Sequence, residues 1–366
     1  MGLSCGIIGL PNVGKSTLLN ALSAAGAAVA NYPFCTIEPN IGVVPVPDPR
    51  LDLLTGLYRP ERTVPTSMEF RDIAGLVAGA SRGEGLGNRF LAHIREVDAV
   101  LHVVRCFRHP DVAHVAGDLD PVRDISIVET ELLLKDLETA ERRLAEAEKR
   151  AKGGDHEPRE EAALLIRLRD CLREGRPALS LGRMSEKESH WVRDLHLLSL
   201  KPVLYVCNVG EASSGGESDL IAAVRSLARR SGARVAVLCA GIEAEISELP
   251  AGERESFLRE LGLPESGLGQ VIRECYDLLR LVTFFTVVGG KEVRAWTVER
   301  GTRAPQAAGR VHTDFEKGFI RAEVMRWSDL RQWGSEHELK ERGLLRVEGR
   351  DYVVEEGDIL QFRFHL

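Results

Sequence analysis

The amino-acid sequence predicts an α/β fold: a mostly parallel sheet covered by helices, a helical insert within it, and a smaller domain of strands and helices at the end. Three observations support this prediction. A glycine-rich loop lies between an apolar run and a helical pattern near the start of the chain. Four further apolar segments are separated by helix-length stretches. Residues 129–151 carry charged residues around an apolar seam, which is typical of paired helices.

The loop at residues 9–16 reads Gly-Leu-Pro-Asn-Val-Gly-Lys-Ser, the spacing of a phosphate-binding loop between a strand and a helix. Its glycines let the backbone wrap around phosphate oxygens at a helix N-terminus, where the helix dipole favours anions. We expect Lys15 to reach the β and γ phosphates and act in catalysis, and Ser16 to ligate Mg²⁺. The predicted phosphate contacts are Asn12, Val13, Gly14, Lys15, Ser16 and Thr17.

Four later apolar segments each end in a loop that carries polar or glycine residues. The segments are 68–71, 99–104, 203–207 and 235–238. Strands separated by helices indicate a parallel sheet, whose ligand binds at the carboxyl ends of the strands. The loops after these segments therefore belong at one edge. The predicted site residues in them are Asp72, Gly75, Asn208, Val209, Glu211, Cys239 and Ala240.

An apolar seam with alternating spacings of four and three predicts a helix between residues 129 and 151. Its members are Leu133, Leu137, Ala140, Leu144 and Ala147. Gly153, Gly154 and Pro158 are expected to break this helix, and leucines at 164, 165, 168 and 172 predict a second one. We expect an antiparallel α-helical coiled-coil hairpin over residues 126–200. An ordinary pair of packed surface helices is the alternative.

The pattern changes again at about Leu281, where apolar runs bounded by glycine-rich turns predict a separate small domain over residues 281–366. The predicted strands are 284–288, 293–298, 351–354 and 359–364. We expect a small separate α+β domain here.

Charge and cysteine content limit the functional classes. The net charge of −7 argues against a generally nucleic-acid-binding surface, so such contacts must be local. The richest stretch, Lys291 to Arg326, has eight cations against five acids. Seven cysteines are scattered singly, without the close pairs of zinc sites or disulfide frameworks. With neither a basic leader nor an apolar run of membrane-spanning length, we expect a cytoplasmic protein with no membrane partner.

Taken together, these motifs resemble the YchF/Obg-like ATPase family over essentially the whole chain. The segments that carry the resemblance are the phosphate-binding loop and residues 31–40, 72–75, 208–211, 302–309 and 312–316. The resemblance implies a P-loop NTPase G domain (residues 1–125 and 201–280), interrupted by the helical hairpin. A C-terminal β-grasp (TGS) domain follows over residues 281–366. It also implies a cytoplasmic nucleotide hydrolase that associates with the ribosome and its rRNA.

Two switch loops are expected to respond to the γ-phosphate. Thr36 is placed like the residue that completes Mg²⁺ coordination in switch proteins, although a plain turn threonine is the alternative. Asp72 would hold Mg²⁺ through water, and the Gly75 N–H would contact the γ-phosphate. Cys35 adjoins Thr36, so its oxidation could disturb the switch; an unreactive, partly buried thiol is the simpler interpretation.

The base-reading loop departs from that of a GTPase. The usual Asn-Lys-x-Asp becomes Asn208, Val209, Gly210 and Glu211, which removes the lysine and lengthens the carboxylate. We expect the Asn208 amide to serve adenine N6 and N7. The resemblance implies that ATP and ADP are preferred over GTP and GDP. A GTPase of the same fold, or an ATP-gated ribosome-binding scaffold with incidental hydrolysis, is the alternative function.

Catalysis also departs from the Ras-like pattern, because Leu76 occupies the position of the water-orienting glutamine. Intrinsic turnover should therefore be slow unless another group orients the water. The resemblance points to His114 for that role, with a solvated surface histidine as the alternative. It also places a ligand for K⁺ at Asn12, where an ordinary loop-shaping asparagine is the alternative.

Overall fold

The computed structural model describes residues 3–27, 40–73, 93–108, 119–153, 156–211 and 218–365. The chain divides into two compact units. The first comprises Met1–Val43 and Glu69–Glu274, and the second comprises Val44–Met68 and Cys275–Leu366. The predicted domain boundaries kept residues 1–125 together. In the structure, the segment Val44–Met68 instead belongs with the C-terminal residues.

The described ranges contain these strands: β1 Leu3–Ile8, β2 Ile41–Pro45, β3 Arg62–Val64, β4 Ser67–Asp72, β5 Ala99–Arg105, β6 Val203–Asn208, β7 Arg234–Leu238, β8 Leu281–Val288, β9 Glu292–Glu299, β10 Phe319–Arg326, β11 Arg346–Glu348 and β12 Asp358–Phe364. Their α-helices are α1 Lys15–Ala27, α2 Pro49–Tyr58, α3 Pro121–Ala151, α4 His156–Arg173, α5 Glu186–Asp194, α6 Asp219–Ser231, α7 Ala240–Glu248, α8 Ala251–Glu260, α9 Gly267–Leu278, α10 Ala304–Val311, α11 Thr313–Lys317, α12 Trp327–Trp333 and α13 Glu336–Glu341. Short 3₁₀ helices cover Ala178–Leu181 and Leu198–Leu200.

The first sheet has the strand order β2-β4-β1-β5-β6-β7. The pairs β1–β5, β5–β6 and β6–β7 are parallel, which confirms the predicted α/β fold. Strand β5 is buried along its whole length, as expected of a central strand covered on both faces. Parallel pairing brings the loops after β1, β5, β6 and β7 to one edge of the sheet.

Helices α3 and α4 form the predicted hairpin. Arg150 pairs with Glu161 at 2.6 Å, while Glu141 pairs with Arg173 at 2.7 Å, so the two helices run antiparallel. All five residues of the predicted seam contribute to one apolar cluster with the leucines of the second helix. Helix α3 begins earlier than predicted, at Pro121, because the Asp120 carboxylate caps its first turn.

Pro158 lies within the first turn of the second helix, contrary to its predicted role as a breaker. A proline is tolerated there because the N–H groups of a first helical turn have no partner within the helix. Along the described part of the chain, no helix has both the length and the apolar character needed to cross a membrane.

The second unit contains a sheet of order β11-β10-β12-β8-β9-β3. The first and last regions of the unit meet in it, because β3 pairs in parallel with β9. Strand β12 pairs in parallel with β8 and antiparallel with β10, so it lies inside the sheet. Helix α10 packs on one face through Ala304, Ala307 and Ala308.

Two predictions for this unit need correction. Residues 351–354 do not form a strand, and Val353 makes only an isolated bridge to Arg303. The chain turns there, with the Tyr352 N–H donating to the Gly349 carbonyl. Strands β3, β10 and β11, by contrast, were not predicted. A register shift between Phe319 and Arg321 interrupts the alternation of buried and exposed residues that normally identifies a strand.

Candidate nucleotide-binding site

The loop between β1 and α1 adopts backbone conformations that its sequence allows. Gly9 has φ +147° and Gly14 has φ +98°, values that glycine tolerates best, and Asn12 is left-handed at φ +61°. A Cβ on Gly9 would lie 2.5 Å from the Val103 carbonyl oxygen. The glycine at this position is therefore required by the close approach of strand β5.

Lys15 lies in a partly buried environment beside two other titratable groups. Its ammonium donates to the Leu10 carbonyl at 2.8 Å. Burial lowers the pKa of Lys15, and the Asp72 carboxylate opposes that shift. Burial and, secondarily, the Lys15 charge lower the pKa of His102 to about 3, so this buried imidazole is neutral at pH 7. The neutral ring does not add a second cation beneath the phosphate loop.

Asp72 ends strand β4, and one of its oxygens is suited to a cation. Its Oδ1 is buried and has no hydrogen-bond partner among the described residues. Burial raises the pKa of Asp72, while Lys15 opposes that shift. An unpartnered carboxylate oxygen is a fitting ligand for Mg²⁺, directly or through water, together with Ser16. Within the described ranges, no cluster of three or more His, Cys, Asp and Glu side chains could hold a metal. A cation here would therefore depend on hydroxyl, phosphate and water oxygens as well.

The Asn208 side chain joins two loops of the site. Its Nδ2 donates to the Val13 carbonyl at 2.9 Å, and its Oδ1 accepts from the Ala240 N–H at 3.0 Å. The side chain is 5% exposed. These bonds use one of the two amide N–H groups and one of the two oxygen lone pairs, so the expectation that the amide reads adenine N6 and N7 stays a prediction. Asn208 joins the phosphate loop to the start of helix α7 through these two bonds.

The loops enclose a cleft of about 680 Å³. Most of the predicted contacts line it, together with three residues that were not predicted, Phe107, Gly210 and Gly241. The full lining is Asn12, Gly14, Lys15, Ser16, Thr17, Phe107, Asn208, Val209, Gly210, Glu211, Cys239, Ala240 and Gly241. Val13 is not in the lining, but its carbonyl binds Asn208.

Phe107 could have been suspected from sequence, because an aromatic residue directly after a core strand lies at the ligand edge. Within the cleft, it supplies a flat apolar surface near the base-reading loop. A Cβ on Gly210 would lie 3.5 Å from the Phe107 Cβ. A side chain at residue 210 would therefore contact Phe107 directly.

The two substitutions in the base-reading loop have different environments. Val209 is 3% exposed and belongs to an apolar cluster with Cys207 and Cys239. Glu211 extends toward helix α7, and its Oε1 lies 3.7 Å from the position of a Cβ on Gly241. A carboxylate beside the first turn of a helix is favoured by the helix dipole. The Glu211 carboxylate is therefore directed to a helix terminus.

Thr36, Gly75 and His114, which were predicted to act in the switch loops and in catalysis, lie outside the described residues. So do Cys35 and Leu76. Their predicted roles stay predictions. The described cysteines are free and buried.

A phosphate-binding loop at the carboxyl edge of a parallel sheet, with a magnesium-compatible carboxylate and a second loop tied to it, defines a P-loop nucleotide-binding protein. Comparisons with known proteins refine this class. Residues 4–142 match the family described as 50S ribosome-binding GTPase. Residues 281–365 match the family YchF-GTPase_C, described as a protein of unknown function.

Full-length relatives extend the match to both units. Proteins named ribosome-binding ATPase YchF from Haemophilus influenzae and Bacillus subtilis are 53% and 50% identical, each over 100% of both chains. The solved structure of the Schizosaccharomyces pombe YchF GTPase is 37% identical and aligns with a TM-score of 0.88, covering 99% of this chain and 98% of that one. The chain belongs to the YchF family.

The Asn208 bridge generates a testable prediction. Asn208→Asp keeps the acceptor for the Ala240 N–H but places a buried negative charge against the Val13 carbonyl. Leaving a buried group unsatisfied costs about 1–3 kcal/mol, so unfolding by urea should occur at lower denaturant concentration and ATP affinity should fall.

The control is Asn20→Asp, which makes the same charge change at an exposed position of helix α1. It should leave both measurements close to those of the parent protein. If the two variants behave alike, the bridge does not organise the cleft.

Proposed function

We propose that this chain is a Mg²⁺-dependent ATPase that associates with the ribosome in a nucleotide-dependent manner. The observation that carries the proposal is the cleft, in which Lys15 and the phosphate loop face a base-reading loop without the guanine-specific Lys and Asp. Its relatives are named ribosome-binding ATPases, which supports the same activity here. A cytoplasmic location is part of this proposal.

The geometry of the base-reading loop supports a preference for adenine. Guanine presents two ring-edge donors that GTPases satisfy with a carboxylate. The carboxylate of Glu211 is directed instead to the start of helix α7. The Asn208 amide binds two backbone groups and keeps one N–H and one lone pair for a base. The remaining contacts are the flat ring of Phe107 and the backbone of residues 209–211 and 239–241, which can hold adenine without a charged partner.

The phosphate end of the cleft supplies the chemistry. Lys15 would bind the β and γ phosphate oxygens, because its ammonium lies on the loop and the adjacent His102 is neutral. Ser16 and Asp72, joined by Thr36, would hold Mg²⁺, which offsets charge on the phosphates. Gly75 would contact the γ-phosphate and His114 would orient the attacking water. Asn12 remains the proposed K⁺ ligand.

The first test is a titration of the purified protein with ATP, ADP, GTP and GDP by calorimetry. ATP and ADP should bind about tenfold or more tightly than GTP and GDP, because one lost set of matched polar contacts to a base costs about 1–3 kcal/mol. Equal or tighter binding of GDP would contradict the adenine preference.

The same titration on Lys15→Ala examines the phosphate loop itself. Loss of the loop cation should reduce hydrolysis by about 100-fold or more and weaken triphosphate binding. Parental turnover in this variant would show that the phosphate-loop assignment is incorrect.

A second test concerns the proposed water-orienting group. His114→Ala should lower kcat by about 10- to 1000-fold while ATP affinity stays nearly unchanged, because the imidazole would act mainly in the transition state. Single-turnover hydrolysis and nucleotide titration on one preparation separate these effects. The control is His337→Ala, an exposed histidine of the second unit. Unchanged hydrolysis would show that His114 does not orient the water and would favour the alternative of a solvated surface histidine.

We further propose that the second unit contributes the ribosome contact through rRNA phosphates. The supporting observation is its set of cations between residues 291 and 326, of which Lys291 and Lys317 are exposed. The hairpin also carries exposed lysines, Lys149 and Lys152, and is the alternative contact. Both regions could bind RNA, so they must be compared directly.

The comparison uses two double variants with equal charge change. Lys291→Glu with Lys317→Glu should reduce co-sedimentation with ribosomes and flatten its salt dependence, because each phosphate contact releases about one counterion. Lys149→Glu with Lys152→Glu should have a smaller effect. The reverse order would assign the contact to the hairpin. ATP turnover measured with and without ribosomes in the parent protein separates an ATPase from a scaffold with incidental hydrolysis.

A further inference from the structure

One buried arginine contacts Phe107, the aromatic residue that lines the cleft. Arg105 ends strand β5 and is 4% exposed. Its guanidinium carbon lies 4.7 Å from the ring centroid of Phe107, and its Nε donates to the Phe107 carbonyl at 3.1 Å. One side chain therefore contacts both the ring and the backbone of the same cleft residue.

These two contacts restrict Phe107 in different ways. The hydrogen bond fixes the backbone of the loop that follows β5, while the cation–π contact fixes the ring. A planar guanidinium can stack on a ring and donate in its own plane at once, which a lysine ammonium cannot do. Phe107 lines the cleft beside Gly210, so the residue that Arg105 contacts is itself part of the proposed base site.

Burial of the arginine makes this arrangement specific. A charged group removed from water is unfavourable unless polar or aromatic partners compensate it. A cation–π contact is strongest where water is excluded. The ring and the carbonyl of Phe107 are therefore two of the partners that compensate the buried guanidinium.

We propose that Arg105 is a positioning residue that presets Phe107 as the stacking surface for the nucleotide base. The inference rests on the proposed binding of adenine nucleotides in this cleft. A preset ring need not be ordered when the nucleotide binds, so the conformational cost of binding falls. Arg105 itself touches neither the base nor the phosphates and acts through Phe107.

The test is a double-mutant cycle on the full-length chain with Arg105→Met, Phe107→Leu and the combined variant. Arg105→Met should raise the Kd for ATP about tenfold, while kcat at saturating ATP changes less than threefold. In the Phe107→Leu background, the same arginine substitution should have almost no effect, because the ring on which it acts is gone. Additive losses in affinity would overturn the inference.

A ligand without a base separates positioning from general damage. Inorganic tripolyphosphate should compete for the phosphate loop equally well in the parent and in Arg105→Met, since it does not reach Phe107. An equal loss of tripolyphosphate and ATP affinity would show that the arginine merely supports the fold of the site. Arg105→Lys provides a folded variant if Arg105→Met is unstable. Arg105→Lys keeps the positive charge but should still raise the Kd for ATP, without changing the affinity for tripolyphosphate.

Two further variants complete the design. Arg95→Met removes another partly buried arginine of the same unit, one that donates to Thr139, and should not change ATP affinity. Lys15→Ala should abolish tripolyphosphate binding. If it does not, the proposed function of the cleft fails. If it does and the cycle is additive, only the role of Arg105 fails.

Discussion

The two hydrogen bonds of the Asn208 amide are the constraint on which the nucleotide site depends. They join the loop after β1 to the loop after β7, although β5 and β6 lie between those strands in the sheet. The bridge also explains the glycine at residue 14. A Cβ there would lie 2.3 Å from Asn208 Nδ2, so a larger residue would displace the amide. Gly14 and Asn208 are thus required together, and neither is explained by phosphate binding alone.

Burial also affects the charge states of three titratable side chains at this site. Lys15 and Asp72 oppose each other's burial shifts, while His102 beneath them is held neutral. The register places His102 opposite Ile8 on one side and opposite Tyr205 on the other. The Tyr205 hydroxyl in turn donates to Glu129 on helix α3 at 2.5 Å. The Tyr205 ring also lies 5.7 Å from the His102 ring, so Tyr205 contacts both a strand of the sheet and the helical hairpin.

Local sequence signals predicted most of the first unit. The strands next to the site could be identified because buried parallel strands are continuous apolar runs. Lys15 could be identified because the loop around it needs glycines at fixed positions for its backbone conformation. Which strands pair with each other in the second sheet could not be predicted. Nothing local indicates that the short run Arg62–Val64 pairs with β9 rather than with a strand nearby in sequence. Asp351–Val354 has strand-forming residues, yet the chain turns there. The use of the Asn208 amide and the Arg105 contact to Phe107 depend on residues that meet only in the folded chain.

The division of the chain has a consequence for biosynthesis. Residues 44–68 are made early, but the strand that pairs with β3 begins at Glu292, and β12, inside the second sheet, ends at Phe364. During synthesis, strand β3 within residues 44–68 therefore stays unpaired while the intervening unit is made, and the second sheet can close only after β12 has left the ribosome. Long-range pairing of this kind slows folding, because loop closure precedes any contact that stabilises it. A nascent chain halted before Asp358 would expose the unpaired flanks of β8 and β10, which are open to pairing with other chains until β12 covers them.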